Sequence, residues 1–297
     1  MKHIFIMNPT SGDGKALKTI SIIEEYFQSK DDFEIIITKE EGHATLVASQ
    51  YYPEDNVCLY AVGGDGTAYE VLNGINKGVT MAIIPAGSGN DFYRVIGNYK
   101  EALTTLIPKV IEGKVISIDY GIANEHRFLN CCCMGIDADV VDHANRISKK
   151  FPLPRSFVYG ISVLYKILAP RKMNITITTD NQVIKNESIL FTAMNGRYYG
   201  GGFTPTPKAK LTDGLLNIVY VDFLSLIKII PLLPKYFSGK HDGIKAIHNM
   251  ELKKFKLESE KELLYCCDGE IYQSNKIDFE VIELGLQLKI PKESEIE

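Results

Sequence analysis

The chain has 297 residues, 45% of them apolar and 24% charged, enough for two domains with ordinary packed cores. Thirty-three Lys and Arg against 37 Asp and Glu leave a formal charge of -4, which excludes the broad basic footprint of a nucleic-acid-binding protein. The start, MKHIFIMNPTSG, has too short an apolar core for a signal peptide, and Lys228, Pro231 and Pro234 break the longest apolar stretch, 223–237, before it could span a bilayer.

In chain order, the first third repeats one unit. HIFIM leads into NPTSGDGK and a helical stretch from Ala16 to about Phe27. FEIIIT follows as a further strand. VCLYAV leads into GGDGT and a helix through Leu72, and TMAIIPA leads into GSGND and a helix around Phe92 to Ile96. Apolar strand, glycine turn and helix form the βα unit of a parallel sheet, whose ligands bind at the carboxyl ends of the strands. Doubly wound α/β architecture is therefore expected for residues 1–122, the stretch that closes with VISIDYG.

Beyond it the texture changes. Two helices are expected, about Asp137–Lys149 and Ser156–Leu168. Then come alternating runs: NITITT, VIKNESILFTAM, LLNIVYV, ELKKFKLES, LLYCCDG and KIDFEVIE. Alternation punctuated by Asp-Asn and Asp-Gly turns indicates antiparallel sheet, so residues 123–283 are read as a second, mainly β domain. The closing stretch, about 284–297, could return to either domain. FVYGISVLYKIL and FLSLIKIIPLLPKYF read as core helices, the commoner fate of such apolar stripes. The cysteines, Cys58, Cys131–Cys133 and Cys266–Cys267, form no CxxC pair or bridge framework, so reduced buried thiols in a cytoplasmic protein are expected.

The glycine turns fail the familiar phosphate motifs. A Walker A loop would need Gly at Pro9 and Ser or Thr at Ala16; the dinucleotide fingerprint would need Gly at Tyr69 or Phe92. What remains is a cradle of backbone N–H groups at helix starts, with Thr67 able to add a hydroxyl. Asp65 and Asp91 are out of place beside phosphate unless a cation mediates, so the two loops point to Mg²⁺. The alternative is that each Asp only caps a helix. Asp268 follows an apolar strand and precedes Gly269, which suits either a presented carboxylate or a plain hairpin turn.

In sequence order, NPTSGDGK, GGDGTAYEVLNGI, PAGSGNDFYR, ISIDYG, GGGFTPTPKAKLTDGLL and CDGE resemble the diacylglycerol kinase catalytic-domain family. Within it they look most like the soluble bacterial lipid kinases, YegS-like and related to diacylglycerol kinase B and sphingosine kinases. GGDGT alone is shared with NAD kinases; the ordered set is far more specific. The resemblance implies a nucleotide-binding α/β domain, a β-sandwich-like second domain, and an active site in the cleft between them. It implies ATP and Mg²⁺ as cofactors and a lipid alcohol, most simply diacylglycerol, as acceptor at a membrane surface. It further implies peripheral membrane contact, no nucleic-acid partner and no transmembrane segment, and leaves a homodimer open.

Carried over residue by residue, Asn8, Pro9, Gly12, Thr38, Gly63, Gly64, Gly66, Thr67, Glu70 and Ser88 would face the nucleotide, together with Asp65 and Asn90. Asp65, Asn90, Asp91, Arg94 and Asp119, with Lys15 and Lys166, would form the polar, Mg²⁺-linked network around the phosphates. Asp268 would be the general base, with Glu270 beside it. Lys210, Asp213 and Leu215 would hold a structural Mg²⁺. Ser88 stands where the family often has Thr, which keeps the hydroxyl. An NAD kinase-like phosphotransferase, or a nucleotide-binding regulator without chemistry, are the competing readings.

Overall fold

A computed structural model describes residues 1–28, 32–151, 155–168 and 170–296. The first domain runs β1 (Lys2–Met7), α1 (Thr19–Phe27), β2 (Phe33–Ile37), α2 (His43–Ala48), β3 (Val57–Gly63), α3 (Asp65–Gly74), β4 (Thr80–Pro85), α4 (Tyr93–Ile96), α5 (Leu103–Ile111) and β5 (Lys114–Ala123). The second continues with β6 (His126–Phe128), β7 (Cys131–Gly135), α6 (Ile136–Lys150), α7 (Arg155–Leu168), β8 (Met173–Thr178), β9 (Val183–Met194) and β10 (Leu216–Asp222). It ends with α8 (Leu226–Ile229), α9 (Leu233–Phe237), β11 (Ile247–Leu252), β12 (Lys254–Cys267) and β13 (Glu270–Ile290).

β2, β1, β3 and β4 pair in parallel in that order. Every residue of β3 and β4 is buried, as expected of strands covered by helices on both faces. Phe5 stacks on Tyr60 at 4.4 Å in this core, and the Tyr60 hydroxyl lies 2.8 Å from His3 Nδ1. The second domain is antiparallel: β11, β10, β9, β7, β12 and β13 pair in sequence, with β8 bridging β9 and β12. Phe191, Phe255 and Phe279 lie at its centre, Phe255 and Phe279 stacking at 4.6 Å.

The closing stretch returns to the first domain. β13 pairs with β12 over its first half, then lies parallel to β4 (Gln287 to Thr80) and antiparallel to β5. Its register shifts between Ile282 and Leu286, where Leu284 has a φ of 49°. One strand therefore runs through both domains.

The structure corrects several boundaries. α1 begins at Thr19 because the chain continues in turns through Lys15 and Lys18, and the Thr19 hydroxyl donates to Ala16 O at 2.6 Å. ELKKFKLES is divided at Lys253 between β11, paired to β10, and β12, paired to β13. The stretch 223–237 folds as two short helices, with Pro231 between them and Pro234 in the first turn of the second. α7 buries only one face: Phe157, Ile161, Leu164, Tyr165 and Leu168 are exposed, against the core reading. All six cysteines are free and buried.

Phe279 is fully buried where β13 leaves the second domain, facing Phe255 on one side and Ala123 on the other. Phe279→Ala is expected to lower the unfolding free energy by about 3–5 kcal/mol through lost burial and a residual cavity. A urea midpoint shift equivalent to less than about 1 kcal/mol would show that this crossing is not a core of the fold.

Candidate active site

The three glycine turns meet at the carboxyl ends of β1, β3 and β4. Gly12, at a φ of 57°, lies so close to the third turn that a Cβ there would fall 2.2 Å from Ala86 O. A Cβ on Gly87 would lie 2.3 Å from Gly64 Cα. Asn90, at a φ of 52°, locks the third turn: its amide donates to Gly87 O at 2.9 Å while its Oδ1 accepts from Gly87 N at 3.2 Å. Asn8 holds the first turn by accepting from Thr10 N and Thr10 Oγ1 at 3.0 and 2.9 Å. Thr38 N donates to Met7 O at 2.8 Å, which brings Thr38 beside this turn.

Asp65 opens α3 and reaches the third turn, where Phe92 N donates to its Oδ1 at 3.3 Å. Burial raises its pKa, opposed by the N–H groups of residues 90–92. Asp91 is pushed up to about 6, first by burial and then by Asp65; the N–H of Gly201 and the charge of Arg94 oppose the rise. Gly201 N donates to Asp91 Oδ2 at 2.8 Å and Arg94 Nε lies 3.2 Å from Asp91 Oδ1. The Arg94 guanidinium also covers the Tyr99 ring at 4.3 Å.

From the other domain, the Asp268-Gly269 pair turns between β12 and β13 with both φ angles positive, at 47° and 106°. This is the hairpin geometry of an Asp-Gly turn. It is also a held carboxylate. Leu129 N donates to Asp268 Oδ2 at 2.6 Å, Cys131 N to Oδ1 at 2.8 Å, and Asn130 N to Oδ1 at 3.1 Å. Burial nevertheless pushes the Asp268 pKa up to about 7, those N–H groups oppose the rise, and Asp65 adds to it. Glu270 is close by, its Oε1 3.7 Å from where a Cβ on Gly66 would stand.

The structure brings Asn8, Gly12, Gly63, Gly64, Asp65, Gly66, Asn90, Asp91, Arg94, Asp268 and Glu270 together, with Thr67 packed against Gly63 and Ser88 exposed on the third turn. Pro9 and Lys15 belong to the first turn, where Lys15 N donates to Gly12 O at 3.1 Å.

Three expected residues are placed elsewhere. Glu70 Oε2 accepts from Ala44 N at 3.0 Å, tying the start of α2 to α3. Asp119 is wholly buried beside the 210–215 segment, accepting from Gly214 N and Leu284 N at 2.7 Å each. Lys166 lies on α7 with its charge next to Asp139 and the Tyr165 ring. Each goes where its own strand or helix carries it: β5 for Asp119, the far face of α3 for Glu70, α7 for Lys166.

The donors fit a divalent cation shared with phosphates. Thr67 Oγ1 is buried without a hydrogen-bond partner, and buried Asp91 Oδ1 has only its ion pair with Arg94 at 3.2 Å. Two adjacent carboxylates whose pKa values burial raises call for positive charge. Among the described residues no group of three or more His, Cys, Asp or Glu side chains is placed to hold a metal alone, so phosphate oxygens and water would complete the shell, as Mg²⁺ prefers. At the other expected site, Asp213 is exposed, its Oδ1 accepting from Leu215 N at 3.0 Å, with Glu251 acting on its charge.

Residue patterns alone left out the groups that join the domains: Gly201, the N–H groups of 129–131, and Asn195. Buried Asn195 donates to Asp119 O and Leu129 O at 3.0 and 2.8 Å. Its only signal is an Asn closing an apolar strand.

Comparison with known proteins defines the class. Two family models cover most of the chain: the diacylglycerol kinase catalytic domain over residues 2–123, and the YegS C-terminal NAD kinase beta sandwich-like domain over residues 130–288. The molecule is a two-domain kinase of the lipid-kinase type. It belongs to the diacylglycerol kinase catalytic-domain family, as its residues had indicated. The diacylglycerol kinase of Staphylococcus saprophyticus is 27% identical over 269 residues, covering 89% of this chain and 87% of its own. That of Bacillus subtilis is 24% identical over 293 residues, covering 97% and 96%. The crystal structure of a diacylglycerol kinase from Bacillus anthracis has the same fold, with a TM-score of 0.71 at 24% identity over 97% of this chain and 96% of that one. Yeast NADH kinase complexed with NADH shares the fold at a TM-score of 0.52 and 9% identity, over 97% of this chain and 82% of that one.

Gly87→Ala is expected to force the second and third turns apart and weaken nucleotide binding about 10-fold or more in calorimetry. Gly160→Ala, whose Cβ would meet nothing within 4 Å, serves as the matched control. Unchanged binding by Gly87→Ala would remove these turns from the nucleotide site.

Proposed function

We propose that the protein transfers the γ-phosphate of Mg·ATP to the hydroxyl of a lipid alcohol, with diacylglycerol the acceptor most in keeping with its relatives. One observation carries the reading. The hairpin that bears Asp268 and Glu270 comes up to the glycine turn that bears Asp65, Glu270 Oε1 lying 3.7 Å from where a Cβ on Gly66 would stand. Phosphoryl transfer needs this arrangement, with charge compensation on one wall and a proton acceptor on the other.

In this reading the N–H groups of the glycine turns and the α3 start receive phosphate oxygens. Arg94 and Lys15 neutralise further phosphate charge. Asp65, Asp91 and the Thr67 hydroxyl would hold Mg²⁺, which when bound supplies positive charge to the transferring phosphoryl group. Asp268 takes the proton from the acceptor hydroxyl as its oxygen bonds to phosphorus and ADP departs. The N–H groups of Leu129, Asn130 and Cys131 aim the carboxylate, Oδ1 accepting from Asn130 and Cys131 and Oδ2 chiefly from Leu129. Membership of the diacylglycerol kinase family, rather than the shared fold of NADH kinase, supports a lipid over a dinucleotide acceptor.

Asp268→Asn is expected to cut turnover about 100-fold or more while nucleotide affinity changes little. Equal loss of both, or of neither, would count against its role as base. The base must be ionised, and burial keeps Asp268 protonated up to about pH 7. The wild-type kcat/KM should therefore rise across neutral pH and level off above it. A profile flat from pH 5 to pH 8 would place the base elsewhere, since an unperturbed carboxylate near pKa 4 is already ionised there.

A further inference from the structure

Resting on the lipid-kinase reading, we propose that the face made by α7, α8 and α9 seats the protein on an anionic lipid bilayer. A surface helix of a folded domain normally turns polar residues outward. α7 does the reverse: Phe157, Ile161, Leu164 and Leu168 recur at spacings of four, three and four residues along its outer face, while Val158, Ser162 and Ile167 turn inward. Leu164 keeps 62% of its surface exposed. Ile227 on α8 keeps 85%, and Ile230 and Phe237 are exposed beside it.

The two segments are neighbours. Val163 and Ile167 of α7 share one apolar cluster with Leu226, Ile229, Leu233 and Tyr236 of α8 and α9. Their outer residues therefore flank a common base, and an exposed apolar patch of this kind marks an interaction surface. No helix among the described residues is long and apolar enough to cross a membrane, so this face would lie on a bilayer, not in it.

Charge selects the occupant. Residues 155–172 and 223–241 contain no Asp or Glu, while Lys166, Arg171, Lys172, Lys228, Lys235 and Lys240 lie within them. Lys228, Lys235 and Lys240 are exposed, and none of the ion pairs among the described residues includes them. The neighbouring acids are occupied: Asp242 pairs with Lys208 at 3.1 Å, Glu187 with Lys172 at 2.5 Å, and the charges of Lys166 and Arg171 act on Asp139. Apolar side chains fringed by unpaired lysines fit anionic head groups over an acyl layer.

The face also adjoins the cleft. The 200–202 loop that donates to Asp91 is so close to α7 that a Cβ on Gly200 would lie 2.6 Å from the Tyr159 hydroxyl. On its other side, a Cβ on Gly202 would lie 3.4 Å from Arg94 and 3.9 Å from Phe237 of α9. A lipid hydroxyl rising from a bilayer under this face has a short path to the carboxylates.

Co-sedimentation with phosphatidylcholine vesicles, with and without phosphatidylglycerol and without nucleotide, tests this independently of turnover. Wild type should bind the anionic vesicles, and salt should weaken binding. Leu164→Asp and Ile227→Asp should each weaken it about 10-fold or more, and Lys228→Glu and Lys235→Glu about fivefold each. All four change exposed side chains, so the melting temperature and nucleotide affinity should stay as in wild type. Activity on a water-soluble short-chain diacylglycerol should survive in these variants while activity on vesicle-borne diacylglycerol falls. Binding unaffected by the variants, or equal on neutral and anionic vesicles, would overturn the proposal. So would light scattering that shows a dimer dissolved by Ile227→Asp, since a second copy would then cover the face. If vesicle binding follows the expectation but no lipid is phosphorylated, the docking face stands and the kinase reading fails.

Discussion

Buried negative charge without enough positive charge is the constraint on which this structure turns. Asp65, Asp91 and Asp268 come from three separate turns into one cleft, and burial raises all three pKa values above those of a free carboxylate. The sign of the linkage follows. A carboxyl whose folded pKa exceeds its unfolded one stabilises the fold below the unfolded value and loses that contribution as pH rises through the folded value. For Asp91 and Asp268 the loss falls between about pH 4 and their folded values of about 6 and about 7. At neutral pH the apoprotein therefore holds charge that a bound divalent cation would relieve. Binding of such a cation and stability of the cleft are one equilibrium seen from two sides.

The same residues hold the domains in place. Asp91 belongs to the first domain but accepts from Gly201 of the second. Asp268 fastens the β12–β13 hairpin to the chain entering β7. Asn195 links β5 to Leu129, and β13 passes from one sheet region into the other without a linker. Chemistry and domain geometry are thus carried by shared hydrogen bonds, so a substitution in the cleft also acts on the packing between domains.

Much of this was legible in the residues. Strand, glycine turn and helix recurred three times, and a parallel sheet leaves such turns only one place to meet. GGDGT and GSGND could each be read as phosphate loops from their glycines at helix starts, and as Mg²⁺-linked ones because Asp65 and Asp91 conflict with a bare anion site. The antiparallel second domain followed from alternation. What escaped was long-range. Nothing local in β13 reveals that its end pairs with β4, since a run such as LQLKI suits either sheet. Glu70 and Asp119 carry carboxylates within the matching motifs, yet their elements aim them at Ala44 and Gly214. α7 misled because an apolar helix is usually buried, and only the position of its neighbours shows which stripe is left outside. Gly201 contributes only a backbone N–H, which no side-chain pattern announces.

Whether this cleft phosphorylates a lipid hydroxyl is read from the transfer of labelled phosphate from Mg·ATP to a panel of lipid alcohols in mixed micelles, with NAD included. A labelled lipid product, diacylglycerol foremost, that requires Mg²⁺ and leaves NAD unlabelled is expected. Label on NAD and on no lipid would overturn the lipid-kinase reading.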